Sequence, residues 1–126
     1  MLRETHRVLE PGGLMVGYVI HTPPDLSAAA DARAAELGPS NIVAPQSYAT
    51  LLDCVGFSRV AEEDVTATFA QTAAALLEAR EALVDVLRAE EGEGEEIYQE
   101  EYSKLRDMVL GIDEGLVRRA LIVAVA

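Results

Sequence analysis
The chain has 126 residues, half of them hydrophobic, which is enough for one domain with a core and too few for two. Its net charge of −12 comes from one region, since 62–114 holds 16 acidic and 4 basic residues and the remainder holds 6 of each. No basic stripe is available for phosphates, which argues against a nucleic-acid partner.

The acidic region reads as a solvated helical face, or alternatively as a surface that prefers a cationic partner. The longest apolar runs have the length of strands, far below the roughly 20 residues that a membrane span requires, so no membrane partner is expected. Arg3, Glu4 and Arg7 interrupt any signal-peptide core, and a single Cys54 leaves no internal disulfide; both fit a cytoplasmic location. His6, His21 and Cys54 lie too far apart in sequence to suggest a metal site, and none is expected.

The segment from Leu2 to His21 organises the rest. Leu2, His6 and Leu9 share one helical face, Pro11 cannot continue that helix, and Gly12 and Gly13 suit the positive φ of a sharp reversal. Leu14 to Ile20 is then almost wholly apolar, as in a strand covered on both faces. A helix feeding a strand through so short a turn is an α/β unit.

After His21, Pro23 and Pro24 impose a loop. Ser27 to Leu37 is an alanine-rich helix, capped by Asp25 or Ser27, with Leu26, Ala30, Ala34 and Leu37 as its stripe. So small a stripe buries little area, and this helix is expected to be held weakly. Ser40 to Ala44 is a linker, and Pro45 opens a helix whose core face is Tyr48, Leu51, Leu52 and Val55. Gly56 is its left-handed cap, with Phe57 folding back on the last turn. Arg59 to Val65 is a short strand, its acidic residues suited to an edge.

Thr66 to about Glu90 reads as one long helix and Glu95 to Glu114 as a second, joined as an antiparallel hairpin. The stripe of the second is Tyr98, Tyr102, Leu105, Val109 and Ile112. Glu90 to Glu96 should be the most mobile internal segment, since its glycines and carboxylates oppose order. Gly115 closes the second helix, and Ala120 to Ala126 is an apolar strand with both faces covered. No internal repeat is present.

RVLEPGG before an apolar strand resembles the segment preceding the fifth strand of class I S-adenosylmethionine-dependent methyltransferases. In the ubiquinone/menaquinone-biosynthesis type the run is E-x-x-R-V-L-x-P-G-G, matched here by Glu4, Arg7, Val8, Leu9, Pro11, Gly12 and Gly13. Leu51, Leu52, Val55, Gly56 and Phe57 are similar to that family's helix ending in Gly-Phe, and GLVRRALIVAVA to its last strand. These landmarks span the second, C-terminal half of the family's fold. The sequence holds no G-x-G-x-G loop, and no strand ending in an acidic residue for a ribose.

The resemblance implies a single α/β domain with a partial Rossmann-like fold and a helical hairpin inserted at about 66–114. Its mixed three-stranded sheet, from strands near 14–21, 58–65 and 117–125, would have the order first-third-second, with the last strand antiparallel to both others. It implies S-adenosylmethionine and a small-molecule methyl acceptor for an intact member. This chain alone, lacking the cofactor motif, is expected to bind no cofactor and to be inactive. The substrate-side candidates are Tyr18, His21 and Thr22, at the C-terminal end of the first strand, where open α/β sheets hold ligands. His21 suits a general base or a substrate contact, or it merely caps a strand end. His6 reads as structural, Cys54 as inert, and Tyr98 with Tyr102 as core.

Two functions follow from this reading. One is the acceptor-side part of a methyltransferase. The other is a non-catalytic domain that pairs through its open sheet edge or its acidic hairpin. The apolar edge at 14–20, without proline or charge, also suggests self-association.

Overall fold
The computed structural model describes residues 2–40, 42, 48–90 and 95–126. The elements are α1 (Leu2–Val8), β1 (Leu14–His21), α2 (Ala28–Leu37), α3 (Tyr48–Asp53), β2 (Arg59–Asp64), α4 (Thr66–Ala82), α5 (Val84–Glu90), α6 (Glu95–Asp113) and β3 (Arg118–Val125). The sheet order is β1-β3-β2. Leu14 faces Val125 and His21 faces Arg118 in one pairing, and Arg59 faces Val125 in the other; both pairings are antiparallel. The strand boundaries and the central place of the last strand agree with the expectation. Of the expected linker at 40–44, positions 41, 43 and 44 lie outside the described residues, as do Pro45 and the acidic loop at 91–94.

The turn between α1 and β1 needs its two glycines for different reasons. Gly12 takes φ +81°, and its N–H donates to the Ala126 carbonyl at 2.8 Å, so the turn is tied to the end of β3. Gly13 is not in the left-handed region, contrary to the expectation for both residues. A Cβ there would stand 2.8 Å from the Glu10 carbonyl oxygen, so Gly13 is needed for close approach.

The core lies mainly on one face of the sheet. Leu52, Phe57, Ala120, Ile122 and Ala124 form it, with Leu2, Leu9, Met15, Val19, Tyr48 and Val55 packed around. The cap at the end of α3 is as expected: Gly56 takes φ +108° and the Phe57 N–H reaches the Leu52 carbonyl at 3.2 Å. His6 serves this corner, its Nε2 lying 3.1 Å from the Gly56 carbonyl oxygen and its ring edge-on to Phe57 at 5.0 Å.

A second cluster joins the hairpin to one end of the sheet. Ala73 of α4, Ile112 of α6 and Val117 are buried, with Ile20, Phe69 and Met108 against them. α2 docks on α6 through buried Ala34 and Leu37, and Arg33 forks onto Glu114 at 3.0 and 3.3 Å. That pair is partly exposed, so solvent screens it and it adds little. Fit against α6 therefore holds this alanine-rich helix.

Two expectations are corrected. The strands are not covered on both faces: Leu14, Val16 and Tyr18 of β1 are each about 60% exposed on one side. α1 and α3 shield the opposite side, and the hairpin reaches this one only near Ile20 and Arg119. The helix from Thr66 is also not continuous, since it leaves helical geometry at Leu83 (φ −107°, ψ 20°) and restarts as α5. The apolar residues near the break are largely solvated, with Leu76 and Leu83 more than half exposed. Little packing holds one straight axis. Among the described residues no helix is long and apolar enough to cross a membrane.

Candidate functional site
The C-terminal end of β1 separates the three sequence candidates instead of gathering them. Strand alternation puts Tyr18 on the bare face and His21 on the opposite one. Thr22, just past the strand, is 1% exposed, and its hydroxyl has no hydrogen-bond partner among the described residues. A buried hydroxyl without a partner is costly, by about 1–3 kcal/mol, and singles out this position.

His21 is oriented by its own backbone. Nδ1 lies 2.8 Å from the Thr22 carbonyl oxygen, so the N–H on that nitrogen donates and Nε2 is left as the acceptor. The Tyr48 ring meets the imidazole edge-on at 6.1 Å. Burial, and secondarily the charge of Glu62, raises the Tyr48 phenol above its ordinary pKa, so it remains a proton donor at neutral pH. Asp64, at the end of β2, accepts from the Thr66 N–H at 2.8 Å at the start of α4. Hydrogen bonds from the Thr66 side chain and backbone, followed by the positive charge of Arg118, hold its carboxyl below the ordinary range. An imidazole with a free Nε2, a phenol and a carboxylate therefore surround this end of the sheet. Such a set can accept or relay a proton, and it contains no activated nucleophile.

Two cavities flank β1. One, of about 460 Å³, runs along its open edge between Leu2, Met15, Tyr18, Tyr48 and Leu52. That edge has no strand partner among the described residues. The other, of about 360 Å³, lies between β1, α4 and α6, lined by Ile20, Phe69, Thr72, Arg80, Lys104 and Arg119 among others. Here the structure supplies what the sequence did not reveal. The Arg119 guanidinium lies 4.0 Å from the centre of the Tyr18 ring and 5.0 Å from that of Phe69. Arg119 has no ion pair with the acidic helices among the described residues and stacks on two aromatic rings instead. Its one sequence signal is a charge on a face otherwise made of Leu121, Val123 and Val125.

The remaining candidates behave as structure. Tyr98 is buried and stacked on Tyr102 at 6.1 Å, while the guanidinium groups of Arg80 and Arg88 lie 5.0 and 4.9 Å from its ring. The chain's own cations occupy the buried Tyr98 ring, whereas Tyr102 is only half-buried and donates its hydroxyl to Glu81 at 2.8 Å, so the core reading holds for Tyr98 alone. Cys54 is free and exposed, just beyond α3. Among the described residues no group of His, Cys, Asp and Glu is arranged for a metal ion.

No protein-family model matches the sequence, and no curated protein matches it. Solved structures do. Haemonchus contortus phosphoethanolamine N-methyltransferase 2, in complex with phosphomonomethylethanolamine and S-adenosylhomocysteine, superposes on 98% of this chain with a TM-score of 0.75 and 16% identity. The same enzyme with S-adenosyl-L-methionine gives a TM-score of 0.68, again over 98% of the chain and at 16% identity. A putative sarcosine dimethylglycine methyltransferase from Galdieria sulphuraria gives 0.72 at 13% identity, also over 98%. The chain spans only 29%, 28% and 45% of those three structures, respectively. At these identities the likeness is one of fold: this chain has an α/β arrangement found within S-adenosylmethionine-dependent methyltransferases.

Proposed function
We propose that this chain is the C-terminal, acceptor-side part of an S-adenosylmethionine-dependent methyltransferase of the ubiquinone/menaquinone-biosynthesis type, forming one domain with its helical hairpin. The observation that carries this reading is a mismatch. The whole chain superposes on methyltransferases, yet it spans less than half of each, and its β1 presents an open edge beside a bare apolar face. A cofactor-binding half seated on that edge would pair the free backbone of β1 and cover Leu14, Val16 and Tyr18. Covering those side chains is worth roughly 1 kcal/mol each at their present exposure.

In this reading Tyr18, His21 and Thr22 belong to the acceptor side. His21, its Nδ1 held by the Thr22 carbonyl, offers Nε2 to a proton leaving the acceptor. S-adenosylmethionine, held by the other half, supplies the methyl group when bound. The acceptor is a small molecule, the location is cytoplasmic, and the chain alone is inactive. A tagged chain expressed in its source organism is expected to purify with a polypeptide containing a G-x-G-x-G turn, and the complex to transfer a labelled methyl group. A complex that neither binds S-adenosylmethionine nor transfers methyl would overturn this reading.

The second reading is a non-catalytic domain that pairs through the same edge, including with a second copy of itself. It is favoured by a run from Leu14 to Ile20 that carries neither proline nor charge. Such a chain would purify alone as a dimer, which separates the two readings in the same experiment.

A further inference from the structure
Arg119 is a cation in an unusual position. Its Nε is buried and has no hydrogen-bond partner among the described residues, and its guanidinium has no carboxylate partner among them. The Tyr18 and Phe69 rings lie 4.0 and 5.0 Å from the group, a contact that engages its π surface and uses none of its N–H groups. The cavity beside it is also lined by Arg80, whose guanidinium lies 5.0 Å from the Tyr98 ring, and by Lys104, whose ammonium is held between Glu100 at 2.8 Å and Glu101 at 2.9 Å. In a chain of net charge −12, Arg119 is thus a cation beside a small chamber with mostly apolar walls.

The position also matters. Arg119 pairs in register with Ile20, one residue before His21, so the chamber opens at the end of the sheet where α/β folds hold ligands. We infer that the Arg119 chamber binds the carboxylate or phosphate group of a small anionic methyl acceptor. A planar guanidinium without a carboxylate partner among the described residues matches the two oxygens of such a group. The surrounding acidic surface disfavours larger polyanions. The identity of the ligand as an acceptor rests on the reading above; the anion site itself does not.

The test is a nuclear magnetic resonance titration of the purified chain that follows the backbone amide signals of β3 and its neighbours, together with the Arg119 Nε–Hε signal in the wild type, with inorganic phosphate and separately acetate, at ionic strength fixed by chloride. A saturable shift with at least one of them is expected, phosphate alone marking a phosphate acceptor and acetate alone a carboxylate one. Arg119→Gln should weaken binding roughly tenfold or more, since a charge-assisted hydrogen bond is lost. Arg119→Lys, which keeps the charge and the aliphatic stem, should bind with intermediate affinity and secures the test if the glutamine variant does not fold. Arg3→Gln removes an equal charge on exposed α1 and should bind like the wild type. No saturable shift with either anion, or equal binding by wild type and Arg119→Lys with unchanged backbone shifts near β3, overturns the site. A complex that transfers no methyl group while the anion shift persists would remove the acceptor reading and leave the site standing.

Discussion
Replacing Gly111 with alanine is expected to destabilise the chain by about 2 kcal/mol, although alanine is the better helix former. Gly111 sits in α6 where α2 and the start of β3 converge. A Cβ there would stand 2.6 Å from Val117 Cγ2 and 3.1 Å from Leu37 Cβ. Neither neighbour can withdraw easily, because Val117 is fully buried, Leu37 is nearly so, and the Leu116 and Val117 N–H groups both bond to the Gly111 carbonyl. Helix propensity returns about 1 kcal/mol, so the net loss depends on the collision outweighing it. Gly17→Ala is the control, since a Cβ at that strand position meets nothing within 4 Å. Thermal melts should show a fall on the order of 8 °C for Gly111→Ala and little change for Gly17→Ala. Equal melting temperatures would mean that α2 and α6 are not packed as described.

Leu52→Ala should cost more, about 3 kcal/mol and on the order of 12 °C. Leu52 is 1% exposed at the centre of the cluster that joins α3 to β3, against Phe57, Ala120, Ile122 and Ala124. Two of its three neighbours on β3 are alanines, which cannot move in to fill the space, so the cavity persists. The neighbouring Leu51 is a contrast: it is 36% exposed, and its replacement should cost well under half as much. Chemical denaturation of the two variants side by side measures the difference. Similar losses at both positions would show that α3 is not seated through Leu52.

Much of this architecture was legible because its signals are local. The Pro-Gly-Gly turn, the Gly56 cap and the period of α6 each act within a few residues, and each lies where the sequence put it. The bare face of β1 was not legible. A strand apolar at every position reads as buried on both sides, and whether anything covers Leu14, Val16 and Tyr18 is decided by elements far away in the chain. The break at Leu83 escaped for the opposite reason: the helical period continues through it while the packing that would enforce it does not. At the candidate site, the end of β1 was found from topology alone. The Arg119 stack was missed because it joins residues 18, 69 and 119 from three separate elements, which no local pattern connects. Strand alternation, on the other hand, already implied that Tyr18 and His21 would face opposite ways.

The claim that the cofactor site lies outside this chain is tested most directly by titrating S-adenosylmethionine into the purified protein and measuring heat. Class I sites hold the cofactor through a glycine-rich turn at a helix start and an acidic residue on the ribose, and this sequence has neither. Its glycines already have other work: Gly12, Gly56 and Gly115 take positive φ in turns and caps, and Gly13 and Gly111 permit close packing. The end of β1 offers at most Tyr18, His21 and the edge of a cavity. A few such contacts contribute on the order of 1 kcal/mol each, against several kilocalories of lost rigid-body freedom. A dissociation constant in the millimolar range or weaker is the expected result. A low-micromolar constant that is lost on His21→Ala would contradict it and would place a cofactor site on this chain.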